Sequence, residues 1–231
     1  MDGKPLLPNP MAQAENATPM ASAFGILRQF ARKRPAIERC ELCSAALEHE
    51  HPHLIELAAR KLLCACGACA LLFDGGANGK YKRVPRDPQF LESFHMTDSQ
   101  WDALMIPINM AFFFFFSIEN RVVTLYPSPA GAVESLLSMD MWNEIVEENP
   151  ALRGMKPDVE ALLVNRVGHA REATKAEYFI APMDECYKLV GLIRSQWRGL
   201  SGGTEVWQEI GNYFTALRQK AIVVNNEEPH A

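Results

Sequence analysis

The chain lacks any apolar run longer than the seven residues Met110 to Phe116. A membrane-spanning helix needs roughly 20, so no membrane span is expected. No apolar stretch follows a basic cluster near Met1, so no signal peptide is expected either. Arg32-Lys33-Arg34 is followed by Pro35, Glu38 and Arg39 rather than by a hydrophobic segment. Positive charge is also short: 23 basic against 28 acidic side chains leave a formal net charge of −5, which disfavours a dedicated nucleic-acid binder. Internal repeats, an H-E-x-x-H helix, a dinucleotide fingerprint, a phosphate loop and a Ser-His-Asp order are all missing. Fifteen Pro and fourteen Gly among 231 residues exclude collagen-like and low-complexity classes. Hydrophobic residues make up 48%, enough for a sizeable core, and the length suits one or two domains at about 150 residues each.

What the sequence has is a crowd of cysteines at one end. Five of six lie within the thirty residues Cys40 to Cys69. Charge divides the chain near the same place. Residues 1–90 carry 12 basic and 9 acidic side chains, whereas residues 91–231 carry 11 and 19. The expected division is a flexible tail over 1–24, a zinc-binding treble-clef-like module over 25–90, an α+β domain over 91–223 and a second tail over 224–231. The fold class is α+β, with the zinc module packed on a mixed α+β body that has a central Phe-rich strand.

Local patterns predict the elements. Phe24, Leu27 and Phe30 mark a short helix ended by Pro35. His53 to Leu57 and Arg60 to Leu63 read as an extended pair. Asp74 to Gly79 is a glycine-rich loop, and Lys80 to Pro88 a linker or sheet edge. Thr97-Asp98 caps a short helix through Leu104. Ile106 to Ser117 and Arg121 to Tyr126 read as strands joined at Glu119-Asn120. Phe112 to Phe116 cannot alternate apolar with polar, so this strand is placed inside the sheet, covered on both faces. Ser128 as N-cap with Pro129 at the first helical position predicts a helix, broken near Asp140 and followed by another over Met141 to Glu148. Val159 to Val167 and Tyr178 to Ala181 are strands. Asp184 caps a helix to about Trp197, and Thr204 caps a last helix with Val206, Trp207, Ile210, Phe214 and Leu217 on one face.

Cys40 and Cys43 form one C-x2-C pair, and Cys66 and Cys69 another, with 22 residues between them. Two intervening residues let a tight turn aim both sulfurs at one ion about 2.3 Å away, and two pairs complete a tetrahedral thiolate site. In a reducing cytoplasm, the expected compartment, such pairs hold metal rather than disulfides. The expected ligands are Cys40, Cys43, Cys66 and Cys69. The first pair suits a knuckle, a hairpin follows, and the second pair opens a helix whose N-terminus favours thiolate charge, which is the treble-clef order. Four thiolates suit zinc or iron. Rubredoxin-like iron sites have glycine after each second cysteine, whereas Ser44 and Ala70 stand here, which favours zinc. Cys64 is an alternative to Cys66, a further cluster ligand, or a packing residue, and packing is favoured. A divalent ion on four thiolates lowers the formal charge of residues 1–90 from +3 to about +1.

His49, His51 and His53 alternate beside the cysteines. They read as polar hairpin residues, with a second metal as the minority alternative. His95 and His169 receive no role. Cys186 near a helix start reads as a packing residue, and Gly199 to Gly203 as an interhelical turn rather than an anion cradle.

Glu38-Arg-Cys-Glu-Leu-Cys43, His53-Leu54 and Cys64-Ala-Cys-Gly-Ala-Cys-Ala-Leu-Leu-Phe73 resemble an uncharacterised bacterial family, a domain of unknown function found near uptake NiFe-hydrogenase genes. The resemblance continues through Tyr126-Pro-Ser-Pro-Ala-Gly131, Pro157 to Val164, and Cys186 to Gly191 with Trp197, covering about residues 25–221. It implies a context, hydrogenase assembly or maturation, and no catalytic residue. The functional expectation is a zinc-binding, non-enzymatic accessory protein whose partner is a protein, such as a hydrogenase subunit or maturation factor. A rubredoxin-like iron electron carrier for the hydrogenase is the first alternative. A zinc-module nucleic-acid-binding regulator is the second.

Overall fold

Ten strands and five α-helices are described in the computed structural model, which covers residues 37–75, 79–135, 139–167 and 176–225. The helix expected over Phe24 to Lys33 lies outside the described residues. The described residues from Glu38 onward cluster as one compact unit. The strands are β1 (His53–Glu56), β2 (Lys61–Cys64), β3 (Tyr81–Arg83), β4 (Gln89–Leu91), β5 (Met110–Phe116), β6 (Arg121–Ser128), β7 (Gly131–Ser135), β8 (Glu160–Asn165), β9 (Glu177–Pro182) and β10 (Ile222–Val224). The helices are α1 (Gly67–Leu72), α2 (Asp98–Ala103), α3 (Met139–Glu148), α4 (Met183–Gln196) and α5 (Gly203–Lys220). The fold is therefore mixed α+β, with the cysteine cluster toward the N-terminal side. No helix of the described residues is long and apolar enough to cross a membrane.

A small antiparallel sheet in the order β2-β1-β3 carries the cysteine region, and a seven-stranded sheet in the order β10-β4-β9-β8-β5-β6-β7 forms the body. The Phe-rich β5 lies between β8 and β6, inside the sheet as its composition predicts. Its side chains alternate between two cores. Phe112, Phe114 and Phe116 join Leu163 and Phe179 under α4 and α5. Phe113 joins Leu162, Val164 and Tyr178 against Trp101 of α2 and Trp142 of α3. Burying one such side chain stabilises by about 1.5–3 kcal/mol, and with four of the five buried and Phe115 half-buried, both faces of the strand are covered.

Ile55, Leu57 and Val84 of the smaller sheet belong to the same apolar cluster as Phe112 and Phe114. Asp158 strengthens this junction. Buried just before β8, it holds Lys82 Nζ of β3 at 2.6 Å, and accepts from the Ser117 backbone N–H at 2.8 Å and the Ser117 hydroxyl at 2.7 Å. Its own N–H donates to the Phe115 carbonyl at 2.9 Å.

Thr97 caps α2 as expected, in a capping box with Gln100. Three sequence signals resolve differently. Ser128 and Pro129 start no helix. Ser128 pairs with Gly131 across a two-residue loop, its hydroxyl accepts from the Ala130 N–H at 3.1 Å, and β7 follows. Ser-Pro serves a turn as well as a helix start, and strand pairing with β6 decides between them. Asp184 does not cap α4, because the N-cap is Pro182 and the Asp184 carboxylate reaches His53 instead. Gly202, not Thr204, caps α5. The apolar stripe of α5 is otherwise as expected, with Val206, Ile210, Phe214 and Leu217 buried and Trp207 half-exposed against Trp197. β10, which follows α5, has no counterpart among the expected strands, and it pairs in parallel with β4.

Gly202 has a φ of +87°, and a Cβ there would lie 2.8 Å from Val206 Cγ1 and 3.1 Å from the Trp197 ring. Left-handed backbone and overpacking each cost about 1–3 kcal/mol for an L-residue. Gly202→Ala is expected to lower stability by at least about 2 kcal/mol in urea unfolding. A loss below about 0.5 kcal/mol would show that the turn relaxes freely.

Candidate metal centre

The first cysteine pair is set by a tight knuckle. Arg39 and Ala46 form an isolated antiparallel bridge. Within it the Cys40 N–H donates to Ala45 O and the Ser44 N–H to Cys40 O, both at 2.8 Å. Ser44 takes a φ of +62°, which turns the chain back just after Cys43. The knuckle is laced to the hairpin behind it. The Glu41 N–H donates to Cys64 O at 2.9 Å, and the Cys64 N–H to Glu41 Oε2 at 3.0 Å.

The hairpin returns through Arg60, itself at positive φ, and delivers the second pair. Cys66 is the N-cap of α1, its sulfur accepting from the Cys69 N–H at 3.5 Å. Cys69 sits inside the first turn of that helix and is buried with Cys40, Leu54, Leu63, Ala65 and Ala70.

All four sulfurs of Cys40, Cys43, Cys66 and Cys69 lie within 4.8 Å of one another, a group able to hold one metal ion. Cys43 Sγ and Cys66 Sγ, one from each pair, are 3.7 Å apart. That is far beyond a disulfide bond of about 2.05 Å. It matches the roughly 3.8 Å edge of a tetrahedron with metal–sulfur bonds of about 2.3 Å. The donor set and its spacing therefore fit a tetrahedral thiophilic ion. Without metal the four sulfurs share charge unevenly. Burial opposes ionisation of Cys40, but N–H groups of Cys66, Cys43 and Leu42 aimed at its sulfur prevail and lower the thiol to about 6. Burial, then the neighbouring Cys43, Cys66 and Cys40 sulfurs, push Cys69 up to about 12. Negative charge thus gathers at Cys40 before Cys69.

Cys64 stays out of this group. It joins His51 and His53 in a second cluster whose ligand atoms also lie within 4.8 Å of one another. His49 is exposed and outside this cluster, in keeping with a polar hairpin residue. The sequence contained the alternation of His51 and His53 and the place of Cys64, but not their partner Asp184, which is 131 residues from His53. Cys186 is fully buried, and burial together with Asp184 and Glu185 raises its thiol well above the usual range, which suits packing and not nucleophilic attack. Between Gly199 and Gly203 the carbonyls of Gly199 and Ser201 accept from the indoles of Trp197 and Trp207, both at 3.0 Å, which staples the turn. His95 is held through its backbone by the Asn149 side chain, and His169 lies outside the described residues.

No curated protein and no solved structure matches the chain. One family profile does, over residues 39–221, a span that takes in both side-chain clusters and runs to the end of α5. The chain belongs to the family of unknown function DUF5947.

Proposed function

We propose that Cys40, Cys43, Cys66 and Cys69 bind a structural zinc ion in a treble-clef-like module, and that the chain is a non-enzymatic accessory protein acting through protein contacts. The observation that carries this reading is the 3.7 Å separation of Cys43 and Cys66 within a group of four mutually close sulfurs. The order of knuckle, hairpin and cysteine-capped helix supports the treble-clef assignment. Zinc would supply cross-linking, since four thiolates leave it no open position for chemistry. The protein partner is supported by Leu71, Leu72 and Phe73, which run out from the sulfur cluster along α1 and are exposed. Monomeric proteins rarely display contiguous apolar side chains without a use for them. The resemblance to a family found near hydrogenase genes points to a hydrogenase subunit or maturation factor as that partner, in the cytoplasm.

Anaerobic purification with metal analysis and a visible spectrum on one sample tests the metal. Tightly held zinc without colour is expected. Iron with visible absorption would overturn the zinc assignment and make the chain a rubredoxin-like carrier. Cys66→Ser is expected to lose the tightly held ion, and Cys64→Ser to keep it. The reverse pattern would move the fourth ligand to Cys64. Copurification of a hydrogenase subunit is the expected partner result, and deletion without any hydrogenase defect would overturn that role. A shift of DNA or RNA at low salt, where phosphate attraction is strongest, would favour the regulator instead.

A further inference from the structure

We propose that His51, His53 and Cys64 form a second metal site, distinct from the four-cysteine group, that takes a borderline divalent ion such as zinc or cobalt and leaves one coordination position open.

The backbone places the three donors on one side of the small sheet. His53 and Cys64 are direct partners across the β1–β2 ladder, so their side chains share a face. His51 lies two residues before His53 along the extended chain, and alternate residues project to the same side. The two imidazoles are 4.8 Å apart between centroids and tilted by 53°. One nitrogen of each ring lies within 4.8 Å of the other's and of Cys64 Sγ.

Hydrogen bonds then determine which nitrogen each ring offers. His51 Nδ1 is 2.9 Å from the Glu48 carbonyl oxygen, and His53 Nδ1 is 2.9 Å from Asp184 Oδ2. Neither a carbonyl nor a carboxylate can donate, so both Nδ1 atoms carry the proton. In the neutral rings each Nε2 is then left with a lone pair, the form that binds metal. A metal-ligating histidine characteristically gives its other N–H to a carbonyl or carboxylate, and here both do.

One of those lone pairs has nowhere else to go. The His51 side chain is only 7% exposed, and its Nε2 is buried with no hydrogen-bond partner among the described residues. An unmet buried polar atom is costly, and an ion at the cluster satisfies it. Asp184 is explained by the same arrangement. It sits in the first turn of α4 without capping it and reaches across to orient His53. Glu38, with its carboxylate 3.7 Å from His51 Nδ1, adds negative charge that favours a cation.

The donor chemistry selects the ion. Two imidazoles and a thiolate suit zinc, cobalt, nickel or copper and exclude calcium and magnesium. Three protein ligands leave the fourth position to water or to a donor from another molecule, whereas the four-cysteine group is closed. The second ion is therefore exchangeable where the first is locked in.

The test is a cobalt(II) titration of the full chain, purified with its first metal in place. Bound cobalt is followed by metal analysis and by thiolate-to-cobalt absorption. The wild-type chain is expected to take up one further equivalent with sulfur ligation. His51→Ala and Cys64→Ser are each expected to weaken this uptake by more than 100-fold. Asp184→Ala, which removes only an orienting group, should weaken it by about 10–100-fold. Retention of the first metal in every variant shows that the module is still folded and separates this result from failure of the four-cysteine site. Should His51→Ala lose the first metal, Cys64→Ser decides, because it removes one sulfur from a partly exposed position. No second equivalent in the wild type would overturn the proposal. So would a second equivalent that survives both His51→Ala and Cys64→Ser.

Discussion

Removal of metal from the four-cysteine group is expected to unfold residues 38–75 and to bring the whole chain out of solution. The core of the cysteine region itself is small. Its own apolar cluster consists of six buried residues, two of them the proposed ligands Cys40 and Cys69. Structural zinc contributes about 10–16 kcal/mol of apparent binding free energy in small metal modules, and that energy is folding energy. The loss matches or exceeds the whole stability of a typical domain, about 5–15 kcal/mol. The body suffers as well, because Ile55, Leu57 and Val84 complete the apolar cluster around Phe112 and Phe114. Each such contact withdrawn exposes apolar surface worth about 1.5–3 kcal/mol. Cys40→Ser, or chelation under mild denaturant, should abolish amide protection across residues 38–75 and make the remainder aggregate. Hydrogen exchange read by mass spectrometry measures this directly. Protection unchanged in a verified metal-free sample would show that the knuckle and hairpin hold without an ion, and would end the structural reading.

The second large effect is expected at Asp158. Its carboxylate is 2% exposed, yet it accepts from Lys82 and twice from Ser117. Lys82 is itself only 16% exposed and has this one salt bridge to a body residue. Deleting one member of a buried ion pair leaves the other uncompensated, at about 3–5 kcal/mol. The backbone adds to this, because Asp158 has a φ of +72°, which Asp and Asn tolerate better than Ala. Asp158→Ala is therefore expected to cost about 3–5 kcal/mol in urea unfolding, with the slope against urea unchanged. Asp158→Asn tolerates the same backbone and can still accept from Ser117, losing chiefly the charge-assisted bond to Lys82. It should cost less, about 1.5–3 kcal/mol. No loss in Asp158→Asn would mean that the charge pairing with Lys82 does nothing, and equal losses in the two variants would mean that the Ser117 bonds and the backbone add nothing to it.

How far the sequence discloses the fold depends on whether each signal is local. The C-x2-C pairs are legible because two residues of spacing fix what the sulfurs can do, and the structure brings the four together. The Phe112 to Phe116 strand is legible because a run without polar alternation needs cover on both faces of the sheet. Thr97 with Gln100 is legible because a capping box is complete within four residues. Ser128-Pro129 is misread because the same dipeptide suits a turn, and only β6 across the ladder selects it. Asp184 is misread because its partner, His53, comes from a distant strand. β10 is invisible in sequence since Ile222 and Val223 are exposed, and three residues at a sheet edge carry no alternating pattern. The second cluster is half-legible. Cys64 reads as a packing residue until the register sets it opposite His53.

The position of β4 has a consequence for the order in which the chain is built. Gln89 to Leu91 must pair with β9 on one side and β10 on the other, so its neighbours are synthesised about ninety and one hundred and thirty residues later. Such distant pairings fold late, because loop closure must precede any gain from contact. The four cysteines, by contrast, all lie within thirty residues and meet through a local hairpin. On the proposed metal assignment, the ion can therefore be captured while the larger sheet is still unfinished on the ribosome. If the proposed ion is scarce, residues 38–75 leave the ribosome without it before the larger sheet can form against them.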